Sequence, residues 1–294
     1  MEPKRFLIFH LDDGKELRGG QRQLLYLVKE LNKLGHLNQI VCRQGSPLES
    51  TARRKGFGTI PLPYFFEWDP VSALLLRRRL QELPVEEFPP VLHSHTSHSA
   101  AVSWLASAGM YCVRVAHRRV DFIPGSFAAR FKYGKAHAVI AISDAVKEIL
   151  LKAEVPEEKV AVVNSTIDLD DTPWKPGEFQ AYREAARHAL AAELAIPPGA
   201  FWAGSLIALV PHKDPENMVR AAALVLKEAP GTFFLIAGEG PLARKVEHLA
   251  RMLKIQDRFR LIGYRSDPYR ILAALDLFVL SSAEEGMGSV LVEA

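Results

Sequence analysis

The chain has 294 residues, 48% of them hydrophobic and 24% charged, which excludes bulk disorder and describes an ordinary globular protein. Net charge is only +3, with +4 over residues 1–170 and −1 over residues 171–294. No dense basic stripe exists, so an obligate nucleic-acid binder is excluded. Two cysteines, Cys42 and Cys112, lie in apolar runs and fit buried thiols in a reducing compartment. No apolar stretch is long enough to span a bilayer, and the N-terminus opens straight into a strand pattern without a leader. The expected location is cytoplasmic.

Short apolar runs alternate with helix-period segments along the chain. Strands are expected at 5–11, 38–43, 58–63, 91–95, 111–116, 138–143 and 159–164, with helices between them, among them 21–34, 69–83 and 143–153. Strands that are apolar throughout and separated by helices predict a parallel sheet covered on both faces, hence a doubly wound domain over 1–170. Two Pro-Gly clusters bracket an Ala-rich helix over 171–200, which reads as a linker. The pattern restarts with strands at 203–210, 232–237, 259–263 and 277–281, and helices at 215–229, 241–253 and 268–275. The second domain, 201–294, has four strands and stops inside a helix that starts near Ser289. An incomplete or incompletely ordered C-terminal domain is expected.

In open α/β sheets ligands bind beyond the carboxyl ends of the strands. Four such ends stand out. Gly19 and Gly20 open a helix after the first strand, where backbone amides suit an anion; a plain tight turn explains the pair equally well. His93 and His95 share one strand face, with His98 a helical turn away. They suit a metal, a substrate contact or a solvated strand end, and taken alone the last is the better reading; a metalloenzyme needs further ligands, of which His117, beside Arg118 and Arg119, is the best candidate. Lys213, between a strand end and a helix, is placed to neutralise a phosphate, although a lone loop lysine is more often merely solvated. Gly238, Glu239 and Gly240 form a strand–turn–helix junction without the third glycine of a dinucleotide fingerprint. Finally Glu285 and Glu293 flank a glycine turn that begins a helix, where the amides of residues 287–290 suit a phosphate or sugar.

Together these segments resemble the retaining glycosyltransferases of family 4. The resemblance rests on GG after the first strand, HSH closing the fourth, AISDAVKEIL, VVNSTID, LVPHKDPENMVRAA, FLIAGEGPL, RLIGYRSDPYRILAALDLFVLSS and the acid-spaced EEGMGSVLVEA, in order along nearly the whole chain. It implies the GT-B architecture of two facing Rossmann-like domains and transfer of a hexose-type sugar from a nucleotide-sugar, with retention of configuration and without metal or other cofactor.

Residue by residue, the resemblance implies that Glu293 holds the ribose and Glu285 the donor hexose. Gly288, Ser289 and Val290 hold the sugar or diphosphate, and Lys213 the departing diphosphate. Gly19 and Gly20 complete the pocket and His95 lines the sugar site. Gly238 and Glu239 also belong to the donor side, and the backbone near Tyr264 and Arg265 receives the base. One departure is Ala208, where the family carries arginine five residues before the lysine; losing that donor costs roughly 3–4 kcal/mol unless another cation, such as Arg18 or Arg22, compensates. The same architecture also serves nucleotide-sugar epimerases and non-catalytic nucleotide-sugar-binding proteins.

The expected acceptor is a saccharide or lipid-linked glycan of a bacterial envelope, such as a lipopolysaccharide core. The basic, partly apolar segments 74–80 (LLLRRRL) and 130–135 (RFKYGK), with Arg118 and Arg119, suit peripheral contact with an anionic membrane; ordinary solvated helix faces fit each segment equally well.

Overall fold

The computed structural model describes residues 4–83, 89–120, 122–285 and 287–294, with Ala128 described by its backbone alone. The chain divides into two compact units, residues 1–166 and 167–294.

The first unit is built on seven strands: β1 (Leu7–Asp12), β2 (Leu37–Arg43), β3 (Gly58–Leu62), β4 (Val91–Ser94), β5 (Val113–Arg118), β6 (Ala138–Ala141) and β7 (Val160–Val162). They form one parallel sheet in the order β3-β2-β1-β4-β5-β6-β7, so the chain reverses its direction of travel at the β1–β4 boundary. That boundary is the topological switch point where such sheets open a crevice. Helices α1 (Gly19–Lys33), α2 (Pro47–Arg54), α3 (Pro70–Gln81), α4 (Ser97–Ala106) and α6 (Asp144–Lys152) join the strands, with a short α5 (Ser126–Ala128) running into a π-turn at Ala129–Tyr133.

Helix starts are written in the sequence. Ser46, Asp69, Thr96 and Ser143 each accept a backbone N–H of the first turn that has no intrahelical partner, and Pro47 and Pro70 follow two of these caps. Asp69 also accepts from the Ser72 hydroxyl (2.6 Å) and the Phe65 N–H (3.0 Å), which fixes the loop before α3.

Strand alternation gives the two sheet faces different chemistry. Phe9, Leu11, Val41 and Leu92 face one way and pack with Leu76 and Leu80 of α3 and Val102 of α4. Each such side chain contributes roughly 1.5–3 kcal/mol when fully buried. The other face meets Leu24, Leu25 and Val28 of α1 through Ile40 and Cys42. Here β1, β4 and β5 present His10, Asp12, His93 and His117, all buried. Strand β5 was expected to end at residue 116. It starts and ends two residues later, because Tyr111 is exposed whereas the polar His117 and Arg118 are buried strand residues.

In the second unit β8 (Trp202–Leu206), β9 (Phe233–Ala237), β10 (Phe259–Leu261) and β11 (Leu277–Phe278) form a parallel sheet in the order β10-β9-β8-β11. Helices α7 (Phe179–Leu194), α8 (Pro215–Glu228), α9 (Ala243–Met252), α10 (Pro268–Ala274) and α11 (Ser289–Glu293) accompany it. One face packs α7 and α10 against Trp202, Phe233 and Leu235; the other packs α8 and α9 against Ala203, Phe234 and Ile236.

The helix expected in the middle of a linker over 171–200 is α7, and it is part of this core. Arg187 lies 4.0 Å from the centroid of the fully buried Trp202 ring, pairs with Asp276 at 3.0 Å, and donates to the carbonyls of Ala200 and Ala274. Asp276 in turn accepts the Trp202 N–H at 2.8 Å. A recess of about 540 Å³ beside this cluster lies at the strands' amino ends, opposite the edge that carries the glycine turns. Strand β8 is shorter than the expected 203–210: the Val210 N–H turns back onto the Ala208 carbonyl (3.0 Å) ahead of Pro211.

Candidate active site

At the carboxyl edge of the second sheet, two glycines make the turn after β9. Gly238 and Gly240 have φ of 145° and 158°, and a Cβ there would stand 1.9 Å from the Ile207 carbonyl oxygen and 2.4 Å from that of Leu209. Only glycine permits that approach. The exposed Glu239 between them accepts the Tyr264 N–H at 3.4 Å. Tyr264 itself is 67% exposed, and the Arg265 guanidinium is taken by Glu193 and Asp267, whose hydrogen bonds raise its pKa. At 264–265 the tyrosine ring, not the arginine side chain, is open to a ligand.

Lys213 ends a 3₁₀ turn after β8, and Asp214, at φ 40°, caps α8 by accepting the Asn217 N–H. Ser281, beyond β11, donates to the carbonyls of Lys213 (3.2 Å) and Asp214 (2.9 Å), while Ala283 and Glu284 N–H groups reach the His212 carbonyl. This stitching carries Glu285 to Lys213, with which it forms an ion pair; Ser282 donates to the same carboxylate at 3.1 Å. Gly288 has φ 65° and precedes α11, which holds Ser289, Val290 and Glu293. Lys213, Glu285 and Gly288 are thus brought together at one strand edge: a Cβ on Gly288 would lie 3.3 Å from Glu285 Cγ. Gly286 lies outside the described residues.

The first unit holds a second cluster. Its centre is a chain of buried imidazoles whose proton positions follow from the partners. Asn38 Nδ2 donates to Asn32 Oδ1 (2.8 Å) and the His36 carbonyl (3.2 Å), so its Oδ1 accepts from His10 Nε2 at 3.0 Å. His10 Nδ1 is then bare and accepts from His95 Nε2 at 3.1 Å. His95 Nδ1, bare in its turn, accepts from Arg119 Nη2 (3.4 Å), which also reaches His117 Nδ1 (3.3 Å). His93 lies tilted beside them, its ring centroid 4.1 Å from that of His95. Burial holds all four imidazoles neutral: it lowers His10 to about 4 and His117 to about 2, and drives His93 and His95 well below 6.5 with help from neighbouring charges.

His95, expected against a sugar, is therefore 3% exposed with both ring nitrogens engaged inside the protein. His98 does not join His93 and His95: it is exposed and its Nδ1 meets Asp13 Oδ2 at 3.1 Å. Sequence reasoning missed His10, one ring nitrogen of which lies within 4.8 Å of a ligand atom on each of His93 and His95. Three imidazoles at that spacing could hold a cation, but a metal on His95 Nε2 requires a proton on Nδ1, where Arg119 already donates. The Arg119 charge also opposes any cation.

Gly19 and Gly20 open α1 above this cluster. Asp12 fixes their loop by accepting from the Gly14 N–H (2.8 Å) and from Gln21 Nε2 (3.0 and 3.2 Å). Arg119 runs beneath, its Cδ 3.6 Å from the place of a Cβ on Gly20.

The sequence pattern of Glycosyltransferase Family 4 matches residues 17–171, more than half the chain, and that of glycosyl transferases group 1 matches 187–294. The chain belongs to Glycosyltransferase Family 4. Among family relatives, the lipopolysaccharide core biosynthesis glycosyltransferase LpsD of Rhizobium meliloti (strain 1021) is 32% identical over 102 residues, 35% of this chain and 29% of its own. The D-inositol 3-phosphate glycosyltransferase of Nocardia farcinica (strain IFM 10152) is 28% identical over 244 residues, 76% of this chain and 53% of its own. The matches thus span about half or less of these relatives' length. The fold is also that of Anabaena Alr3699/HepE, solved with UDP and glucose: TM-score 0.76 at 18% identity, covering 98% of this chain and 78% of that one. The α/β architecture is that of the GT-B glycosyltransferases.

Proposed function

We propose that this family 4 chain transfers a hexose-type sugar from a nucleotide-sugar to a saccharide or lipid-linked glycan acceptor, with retention of configuration and without a metal. The observation that carries the reading is the Lys213–Glu285 ion pair beside the Gly288 turn. A nucleoside diphosphate is already a good leaving group, so the protein's task is to stabilise negative charge on it and positive charge on the sugar. Lys213 supplies the first and Glu285 orients the hexose. The N–H groups of Gly288, Ser289 and Val290 face the donor, Glu293 holds the ribose hydroxyls, and Glu239 with the backbone at Tyr264 and Arg265 borders the base. In the first unit Gly19 and Gly20 are assigned to donor binding, and His95 acts from behind the surface. The names of LpsD and of the UDP complexes of HepE support a UDP-sugar donor and an envelope-glycan acceptor.

The acceptor side includes a membrane-facing surface. Of the 74–80 segment, Leu76 and Leu80 are buried and Arg77 ties down the Ala106 and Ala108 carbonyls. Val71, Leu74 and Leu75 stay exposed on one α3 face, followed by Arg78 and Arg79 and preceded by Phe65 and Phe66. Among the described residues no helix is long and apolar enough to cross a membrane. Peripheral contact with an anionic leaflet from the cytoplasmic side fits this face.

The test is a thermal-shift screen of UDP-, GDP- and ADP-sugars, followed by assay of the stabilising donor with envelope-glycan acceptors in EDTA and NMR of the product anomer. Stabilisation, acceptor-dependent turnover and a retained anomer are expected. No stabilisation by any nucleotide overturns the reading, and turnover without acceptor points instead to an epimerase. Flotation with anionic liposomes tests the α3 face; no binding at low salt removes it.

A further inference from the structure

Two consecutive arginines leave β5, and strand alternation sends them to opposite faces. Both terminal nitrogens of Arg118 are satisfied within the protein, although its Nε has no partner: they donate to the Tyr133 hydroxyl (3.0 Å) and the Phe122 carbonyl, and the guanidinium lies against both rings. Arg119 is not. Its Nη2 has only the two neutral imidazoles at 3.3 and 3.4 Å, and its buried Nε has no partner. Among the described residues no carboxylate lies within 4.0 Å of it; Asp12, the acid it feels most, is occupied by Gln21 and Gly14. A largely buried cation among neutral groups is costly unless something anionic answers it.

The surroundings are arranged to keep that charge and to aim it. The histidines cannot add competing positive charge, since burial keeps them unprotonated. Their hydrogen-bond chain runs one way, from Arg119 through His95 and His10 to Asn38, and the Nδ1 atoms of His95 and His117 both face the guanidinium. Above it the Gly19 and Gly20 N–H groups, at the start of a 15-residue helix, have no intrahelical acceptor.

We propose that Arg119 is an anion-binding residue of the first unit, which takes a phosphate-class oxyanion between its guanidinium and the Gly19–Gly20 turn, with His95 and His117 as positioning residues. The inference deepens the function proposed above and rests on it for the source of the phosphate: the donor's diphosphate or a phosphorylated acceptor. Guanidinium and helix-opening amides together offer the planar donors that phosphate oxygens accept. His95 is then a residue that acts through Arg119, which accounts for its burial at a position expected to touch sugar.

The test is phenylglyoxal labelling of the full chain, read at Arg119 by peptide mass spectrometry. Inorganic pyrophosphate should slow labelling of Arg119 and leave exposed Arg54 unaffected. Protection by UDP assigns the site to the donor; protection by glucose 6-phosphate but not UDP assigns it to the acceptor. In parallel, Arg119→Gln should weaken binding of the protecting ligand about tenfold or more, and Arg119→Lys by less. Should Arg119→Gln fail to fold, labelling of the unaltered protein decides alone. Arg119 labelled at the same rate with pyrophosphate, UDP and glucose 6-phosphate overturns the inference. Failure of the transferase reading would appear separately, as absence of sugar transfer from every nucleotide-sugar while pyrophosphate still protects Arg119.

Discussion

His10 Nδ1 lies 3.1 Å from His95 Nε2, with neither imidazole exposed to solvent by more than a few per cent. Together with His93 and His117 they are held neutral in the folded state, whereas in the unfolded chain each protonates near 6.5. Below that value the unfolded state binds protons that the folded state refuses, so stability falls as pH falls from 6.5 towards 4, where His10 at last titrates. Four such groups give a slope of roughly 5 kcal/mol per pH unit, against a total of about 5–15 kcal/mol for a typical domain. Urea unfolding should therefore show a steep loss of first-unit stability between pH 6.5 and 5, and His10→Phe should flatten it. Equal midpoints at both pH values would contradict the buried neutral cluster.

Lys213 and Glu285 are each partly exposed, so their pairing adds little to stability. Lys213→Ala should lower kcat by about 10²–10³ if the lysine stabilises the leaving diphosphate, with thermal unfolding shifted little. Glu285→Gln should lower kcat with far less effect on binding of the free nucleoside diphosphate. A Lys213→Ala variant with unchanged kcat would remove the lysine from the chemistry.

Gly238→Ala places a methyl carbon inside contact distance of the Ile207 carbonyl at a φ that L residues avoid. A loss of about 3 kcal/mol or more is expected, because both clash and backbone strain act on β8 and β9. Gly231→Ala, which meets nothing within 4 Å, should stay within about 1 kcal/mol of the unaltered protein. Chemical denaturation of the pair separates the close-approach argument from a general intolerance of substitution.

Asp276→Ala removes the carboxylate that receives Arg183, Arg187 and the Trp202 N–H. The Arg187 charge is left beside an indole without a counterion, at a cost of about 3 kcal/mol. Trp202 fluorescence should report the loosening of α7 before the rest of the second unit unfolds; a single unchanged transition would show that the cluster carries no such weight.

The doubly wound pattern was legible because apolar runs and amphipathic segments alternate locally, and the parallel seven-stranded sheet follows the expected strands closely. Lys213, Glu285 and the glycine turn were legible as a set of fragments in order. The histidine cluster was not. His10 sits in LIFHLD, which reads as one more apolar strand, and Arg119 reads as a basic residue just past a strand end. The missing information is which strands lie side by side, and that depends on pairings 83 and more residues apart, as between His10 and His93. A signal was available: His10 with Asp12, His93 with His95 and His117 with Arg119 are polar pairs two residues apart, in phase with one sheet face at three strand ends. Ser281, which joins the Lys213 loop to the Glu285 turn, had no local signature at all.

The fastening of α7 to Trp202 also decides where the polypeptide can be divided. Trp174 already packs on Phe179, Tyr182 and Tyr269, so the boundary of the second core lies well upstream of the first residue of β8. Limited proteolysis should then release a C-terminal fragment that begins before Trp174 and keeps its helix. A fragment starting at Phe201 would bare one side of the sheet and precipitate.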